Sequence, residues 1–380
     1  SELGSSMPKS GGEYHYLSTL YHPSIGFVSG WLSSTIGFSA PIALSAITFG
    51  TYIHNVVPSL SENMLAISII LLVTLFNSIN HFISESFQLF FTFFKIILIL
   101  FFIIFGLLYP PIDYISFSPT SSTFNETFSA GFAINLVYVS FAYSGWNASA
   151  YIASEVENPR KNLPLSIIIG TSTVIALYVL LNAIFLMSAP INELMVDPST
   201  MMPKEIGFVA AEHIFNSNIA NVISIIIGVF LISSISSMVI TGPRVIQTMI
   251  NDYPIIKKLK SSDKKLPVLA ICMQSGVAIV ILLSGTFDSI LTYTTFALTL
   301  FSLLTVIGVF ILRKKSKNNQ KQKSYRTWGY PITPVIFIVA NIWFLYYLFK
   351  EKPYDSLIAI GLISLGFIVY LLVKINLKKE

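Results

Sequence analysis

Residues 141–164 read FAYSGWNASAYIASEVENPRKNLP. The stretch opens inside an apolar run, places Ser144 and Gly145 beside Trp146 and Asn147, and closes on charges and two prolines. In hydrocarbon every backbone group needs a partner, so non-helical backbone is tolerated only where it faces protein or a polar cavity. Gly145 lowers helix propensity by about 1 kcal/mol relative to Ala. Ser144 and Asn147 offer side-chain hydrogen bonds that compete with the helical ladder, and the Trp146 indole N–H needs an acceptor. These residues predict a break near 142–147. A break frees carbonyls at the end of one half-helix and N–H groups at the start of the next. Carbonyls suit an ammonium group, and N–H groups at a helix start suit a carboxylate. A zwitterionic α-amino acid carries both, and interrupted helices at the midplane hold substrate in many secondary transporters. A kinked but continuous helix with small residues for close packing is the competing reading.

The rest of the sequence supplies the solvent for that helix. Hydrophobic residues make up 54% of the 380-residue chain and charged residues only 11%, against about 25% charged in soluble domains. Mean hydropathy is +0.73. That much apolar surface calls for lipid. A bilayer core of about 30 Å needs about 20 apolar residues of helix. Such runs occur at 24–57, 63–80, 82–109, 128–155, 165–189, 219–250, 267–284, 287–312, 331–349 and 355–373. With Ser1–Tyr21 on the cytoplasmic side, the cytoplasmic loops are 156–164, 244–266 and 313–327, with the C-terminal tail. They carry Arg160, Lys161, Arg244, Lys257, Lys258, Arg313, Lys314 and Lys374, while the opposite loops hold only Lys204, Lys350 and Lys352. That asymmetry orients the chain in a plasma or inner membrane. The basic residues sit in short loops, which argues against nucleic acid as a partner. Cys272 is the single cysteine, so no internal disulfide forms, and no Cys/His cluster suggests a metal or other cofactor.

Other segments fit one family in order. PKSGGEYHYL (8–17) with Pro23 and Gly26, QLFFTFFK (88–95), the 141–164 stretch, GPRVIQTMINDYP (242–254) and YRTWGYPITP (325–334) resemble, in that order, the first inner loop and third helix and the fifth, sixth, eighth and eleventh helices of the amino acid–polyamine–organocation permeases. Within that family the 141–164 stretch especially resembles the L-type amino acid transporter branch. The resemblance implies an all-α polytopic membrane protein with a LeuT-like inverted-repeat fold. On that map the first helix and most of the second are not in this sequence. Residues 1–112 hold the rest of the first five-helix repeat, 113–312 the second repeat, and 313–380 a cytoplasmic loop, helices eleven and twelve and a basic tail.

The resemblance further implies that the main-chain carbonyls of Phe141, Ala142 and Ser144 receive the substrate ammonium, with Phe141 as an aromatic gate. Gly145 belongs to the same break, and Trp146 and Asn147 line the pocket or steady it. The family often has Gly where Ser144 stands, which implies a slightly smaller side pocket. Lys95, inside an otherwise apolar helix, matches a family lysine whose ammonium occupies a site where sodium-coupled relatives hold a cation. Proton loss and gain there would couple transport to pH; a fixed internal cation, or a lysine snorkelling outward, are the other readings. Glu155 with Arg160, and Arg244 in GPR, are expected to form a salt-bridged inner gate. L-type relatives join a single-span partner through a disulfide near the outer end of helix four. Ser59–Asn63 has no Cys there, so no such heavy chain is expected.

The expected function is secondary amino-acid transport by alternating access, as proton symport or exchange. The chain is expected not to be an enzyme, because a membrane enzyme would need a His/Asp pair or metal cluster at one face. The alternatives are a non-transporting sensor or channel, or an inactive truncated permease.

Overall fold

A computed structural model describes residues 1–79, 81–112, 118–154, 156–190, 193, 205–253, 268–316 and 325–377. Among these residues the secondary structure is helical, with no strand. Three helices begin the chain: α1 (Glu2–Ser6), α2 (Glu13–Leu20) and α3 (Pro23–Leu32). Next come a π-helical turn at Ser33–Gly37 and then α4 (Ser39–Val56), α5 (Glu62–Ile79) and α6 (His81–Leu108). The middle holds α7 (Thr123–Thr127), α8 (Ala130–Ala142), α9 (Ala148–Tyr151), α10 (Pro159–Ser188) and α11 (Ile206–Ile214). The chain closes with α12 (Ser217–Asp252), α13 (Val268–Ser284), α14 (Phe287–Ser316), α15 (Ile332–Glu351) and α16 (Pro353–Leu377).

Eight segments are long and apolar enough to cross a membrane, and α8 and α13 are shorter apolar helices. Together they account for the ten runs read from the sequence. The protein is a multi-pass membrane protein. Leu71, Leu72 and Leu75 on α5 and Phe93, Ile97 and Leu100 on α6 are exposed, as lipid-facing residues would be.

Three segments differ from the sequence reading. The 24–57 run is not one regular rod. Ser34 Oγ and Thr35 Oγ1 both donate to the Trp31 carbonyl, at 2.9 and 2.7 Å, and Phe38 N–H reaches back to Ser33 O. That gives the wider π turn at 33–37. The 165–189 run starts earlier, at Pro159, which is pre-set for a first helical turn. The loop read as 244–266 starts later, because α12 carries Pro243 within it and runs on to Asp252. The short α11 buries Gly207, Val209, Ala210 and Ala211, whereas Ile206 at its start is exposed.

The chain divides into two compact units. The first comprises Ser1–Leu44, Ser121–Gly170 and Met238–Glu380. One part of its core joins Tyr14, Phe27, Tyr151, Met249, Tyr253 and Tyr370, with the Phe27 ring edge-on to Tyr253 at 5.1 Å. Another joins Leu3, Tyr16, Leu20, Ala150 and Val309. α2 and α3 cross with almost no space between them. A Cβ at Gly26 would lie 1.8 Å from Ser18 Oγ and 2.6 Å from the Ser18 backbone N, so no larger residue fits there.

The second unit comprises Ser45–Thr120 and Thr171–Ser237. Its core gathers Phe102, Ala210, Ala211, Ala220 and Ile223, with Phe101 stacked on Phe215 at 5.4 Å. Polar side chains tie its helices together. Asn77, fully buried, donates to Ser236 Oγ at 3.1 Å. Gln88 and Ser233 exchange hydrogen bonds at 3.0 Å.

Candidate functional site

The interruption expected near 142–147 is present. α8 stops at Ala142, residues 143–147 form turns, and a single helical turn resumes at Ala148. Gly145 sits at φ +82°, a region that L side chains avoid. A Cβ there would meet nothing within 4 Å, so the glycine answers to backbone conformation and not to crowding. Phe141 O accepts from Ser144 N at 2.9 Å, and Gly145 O accepts from Ala148 N at 2.9 Å. Among the described residues no main-chain N–H reaches the carbonyls of Ala142 or Ser144. Those two carbonyls are therefore available to a donor from outside the chain, and Phe141 O keeps one lone pair. Phe141 is half-buried, Ala142, Ser144 and Gly145 are exposed, and the Trp146 side chain is 41% exposed.

Asn147 precedes the new helical turn without capping it through its side chain. Its amide donates instead to Glu13 Oε1 at 3.2 Å, and Ser302 Oγ on α14 donates to the same oxygen at 3.2 Å. Glu13 is only 4% exposed. Burial pushes its carboxyl up from the usual 4.5 to about 7, and the bonds from Ser302 and Asn147 offset only part of that rise. Trp146, Asn147, Glu13, Tyr16, Thr305 and Phe337 share the wall of a cavity of about 310 Å³ in the first unit.

Glu2 lines the same cavity. Arg313 grips it with two bonds, Nε to Oε1 at 2.7 Å and Nη2 to Oε2 at 2.8 Å, and Thr327 N–H adds a third at 2.7 Å. Burial pushes the Glu2 carboxyl up, but these bonds outweigh it and hold the group below its ordinary value. Neither Glu2 nor Glu13 stood out in the sequence as a site residue.

Lys95 lies on α6 in the second unit. Its Nζ donates to Ser234 Oγ on α12 at 2.9 Å. It lines a separate cavity of about 230 Å³, whose other walls include Leu98, Phe102, Phe185, Ile227 and Phe230. Of the expected gate residues, Glu155 lies outside the described residues. Arg160 is exposed at the start of α10, and Arg244 is half-buried within α12, its carbonyl accepting from Thr248 Oγ1 at 2.9 Å. Tyr138 on α8 donates to Asp288 at 2.8 Å. Tyr293, Thr294 and Phe296 on α14 are buried and do not line the 310 Å³ cavity.

Comparison with known proteins gives a consistent picture. The sequence model of a family described as "Amino acid permease" matches residues 1–372. The mouse b(0,+)-type amino acid transporter 1 is 24% identical over 386 residues, covering 98% of this chain and 76% of its own. The serine/threonine exchanger SteT of Bacillus subtilis (strain 168) is 28% identical over 350 residues, covering 90% and 77%. The human cystine/glutamate transporter is 27% identical over 328 residues, covering 83% and 63%.

Proposed function

This chain belongs to the amino acid permease family, and on that premise we propose that it moves amino acids across a membrane by alternating access, with the 143–147 turn as its substrate site. Its relatives are amino acid transporters or exchangers, not enzymes. One observation carries the proposal: an apolar helix that stops at Ala142 and leaves the Ala142 and Ser144 carbonyls without a main-chain donor among the described residues. Such carbonyls attract an ammonium group. In this reading Phe141, Ala142, Ser144 and Gly145 contact the substrate, and Trp146 and Asn147 shape the wall beside it.

Several finer points belong to the same proposal. The inverted-repeat division into 1–112, 113–312 and 313–380 gives the two halves that would rock against a fixed site. Lys95 is the ion-coupling residue, and Arg160 and Arg244 close the inner gate with Glu155. The loops 156–164, 244–266 and 313–327 and the C-terminus face the cytoplasm, and no disulfide-linked heavy chain attaches.

Counterflow in proteoliposomes tests the whole. Amino acid inside the vesicles should accelerate uptake of labelled amino acid, with saturation, and Phe141→Ala or Ser144→Leu should abolish it. Uptake that never saturates would mean a pore, and full counterflow in both variants would remove the site from this turn. For Lys95, uptake by Lys95→Ala and Lys95→Met is compared under an imposed pH gradient. A wild-type response in both would remove Lys95 from coupling.

A further inference from the structure

Glu13 combines burial, a place on the cavity wall and a direct side-chain bond to the helix break. Its partners are all neutral. Asn147 and Ser302 donate to Oε1, and both donors keep the same direction whether or not Oε2 is protonated. Among the described residues Oε2 has no hydrogen-bond partner. An anion buried this deeply is stabilised chiefly by an opposite charge, and hydrogen bonds from amide and hydroxyl compensate only partly.

The groups that face Glu13 confirm how little charge compensation it has. On its own helix stands Tyr16, and on the segment after the break stands Tyr151; neither carries a positive charge. From α14 come Ser302 and Thr305, from α10 Leu163 and Ile167, and from α15 Thr333 and Phe337. Ser1 and Glu2 lie across the cavity, and the guanidinium of Arg313 is bound to Glu2. Glu13 is thus an acid whose charge state is set by the water and protons that reach its cavity.

We propose that Glu13 is a proton-binding residue that positions the break: a proton taken from the aqueous side onto its carboxylate weakens its hold on Asn147 and Ser302, and the 143–147 turn loosens. The proton comes from water and forms an O–H bond on Glu13; no other bond changes. Deprotonation restores a charge-assisted hydrogen bond to the Asn147 amide, which is about twice as strong as its neutral counterpart. Glu13 acts through Asn147 and is a positioning residue, not a substrate ligand. The inference rests on the transport reading only for what the turn does; the proton site stands on its own geometry.

Two measurements on the purified full chain test it, and neither needs transport. Infrared difference spectra across a pH titration report protonation of a carboxyl through its C=O stretch. Tryptophan emission, taken as the part lost in Trp146→Phe, reports the environment of the turn. Support requires a carboxyl band that titrates near neutrality, a Trp146 signal that changes with the same midpoint, loss of both in Glu13→Gln, and a titrating step kept in Glu13→Asp. The proposal is overturned by a neutral-range band that survives in Glu13→Gln, by the lack of any such band in the wild type, or by a Trp146 signal indifferent to it. Counterflow, run beside these, decides the transport reading separately. A wild type with the band and the Trp146 step but no counterflow would sink transport and leave the proton site standing.

Discussion

Glu2 and Glu13 share the wall of one cavity in the first unit, and Lys95 lies on the wall of another in the second. All three charges are buried or half-buried among apolar side chains, yet each receives a different neighbourhood. Glu2 has a two-bonded guanidinium and a main-chain N–H. Glu13 has an amide and a hydroxyl. Lys95 has a single hydroxyl. The difference separates structure from switch. A buried charge with an opposite charge on it is a fixture, because removing either partner leaves the other uncompensated. A buried charge given only neutral donors is free to neutralise, and its state follows the medium.

The largest effect should come from breaking the fixture. Arg313→Ala leaves Glu2 buried without its cation, and it also removes the guanidinium lying 3.7 Å over the Tyr330 ring. The expected loss is about 3–5 kcal/mol near neutral pH, read as a lower thermal midpoint in detergent. The sign with pH follows from Glu2. Its native value is held below the usual 4.5, so its contribution is present above that value and fades as pH falls through the native one. The gap between variant and wild type should therefore narrow in acid. A gap that stays constant to low pH would mean that the pair acts by packing alone.

Glu13→Gln should move stability the other way. The native carboxyl is raised from 4.5 to about 7, so the folded state holds a proton that the unfolded state has already released. Wild-type stability then falls as pH rises through that interval, and the full penalty is in place above it. Gln keeps an oxygen for Asn147 and Ser302 without the charge. The variant should gain about 3 kcal/mol above pH 7 and nothing below 4.5. Thermal unfolding across that range checks both limits, and a gain independent of pH would show that charge is not the cause. Lys95→Met comes next. A central membrane lysine costs about 2.5–3.5 kcal/mol on insertion scales. Lys95 is half-buried and hydrogen-bonded, so the gain on replacement should be about 1–2 kcal/mol.

The sequence shows this arrangement unevenly. The apolar runs are local properties, and each of the ten contains a helix among the described residues. The interruption is local as well: Ser144, Gly145 and Asn147 disfavour helix by their own chemistry, and α8 ends where they begin. Lys95 is conspicuous because nothing polar surrounds it in the run from Leu89 to Leu108 except Thr92. Glu13 has no such signal. GGEYHY reads as a polar loop, and the burial of its acid depends on Asn147 and Ser302, which are 134 and 289 residues away along the chain. The pairing of Glu2 with Arg313, 311 residues apart, is hidden for the same reason. The π turn at 33–37 was legible in principle, since Ser34 and Thr35 stand where their hydroxyls reach Trp31 O, but its apolar flanks outweigh two hydroxyls in any average over a window.

The smallest change should be Ser234→Ala, and its smallness is the point. Ser234 Oγ is the acceptor for Lys95 Nζ, and it donates only a long 3.4 Å bond to Phe230 O. Deleting the hydroxyl leaves the ammonium without that acceptor, which on the Glu2 pattern would cost several kcal/mol. Lys95, however, ends a four-carbon stem beside a cavity of about 230 Å³, so the ammonium can turn toward water or another acceptor as the hydroxyl goes. The expected loss is about 1 kcal/mol, measured by thermal unfolding of Ser234→Ala beside Lys95→Met. The double variant adds the sharper reading. If the hydroxyl serves only the ammonium, Ser234→Ala should cost nothing once Lys95 is Met. A cost that persists in the double variant would place Ser234 in the packing of α12, and Lys95 would then be a charge with no dedicated partner at all.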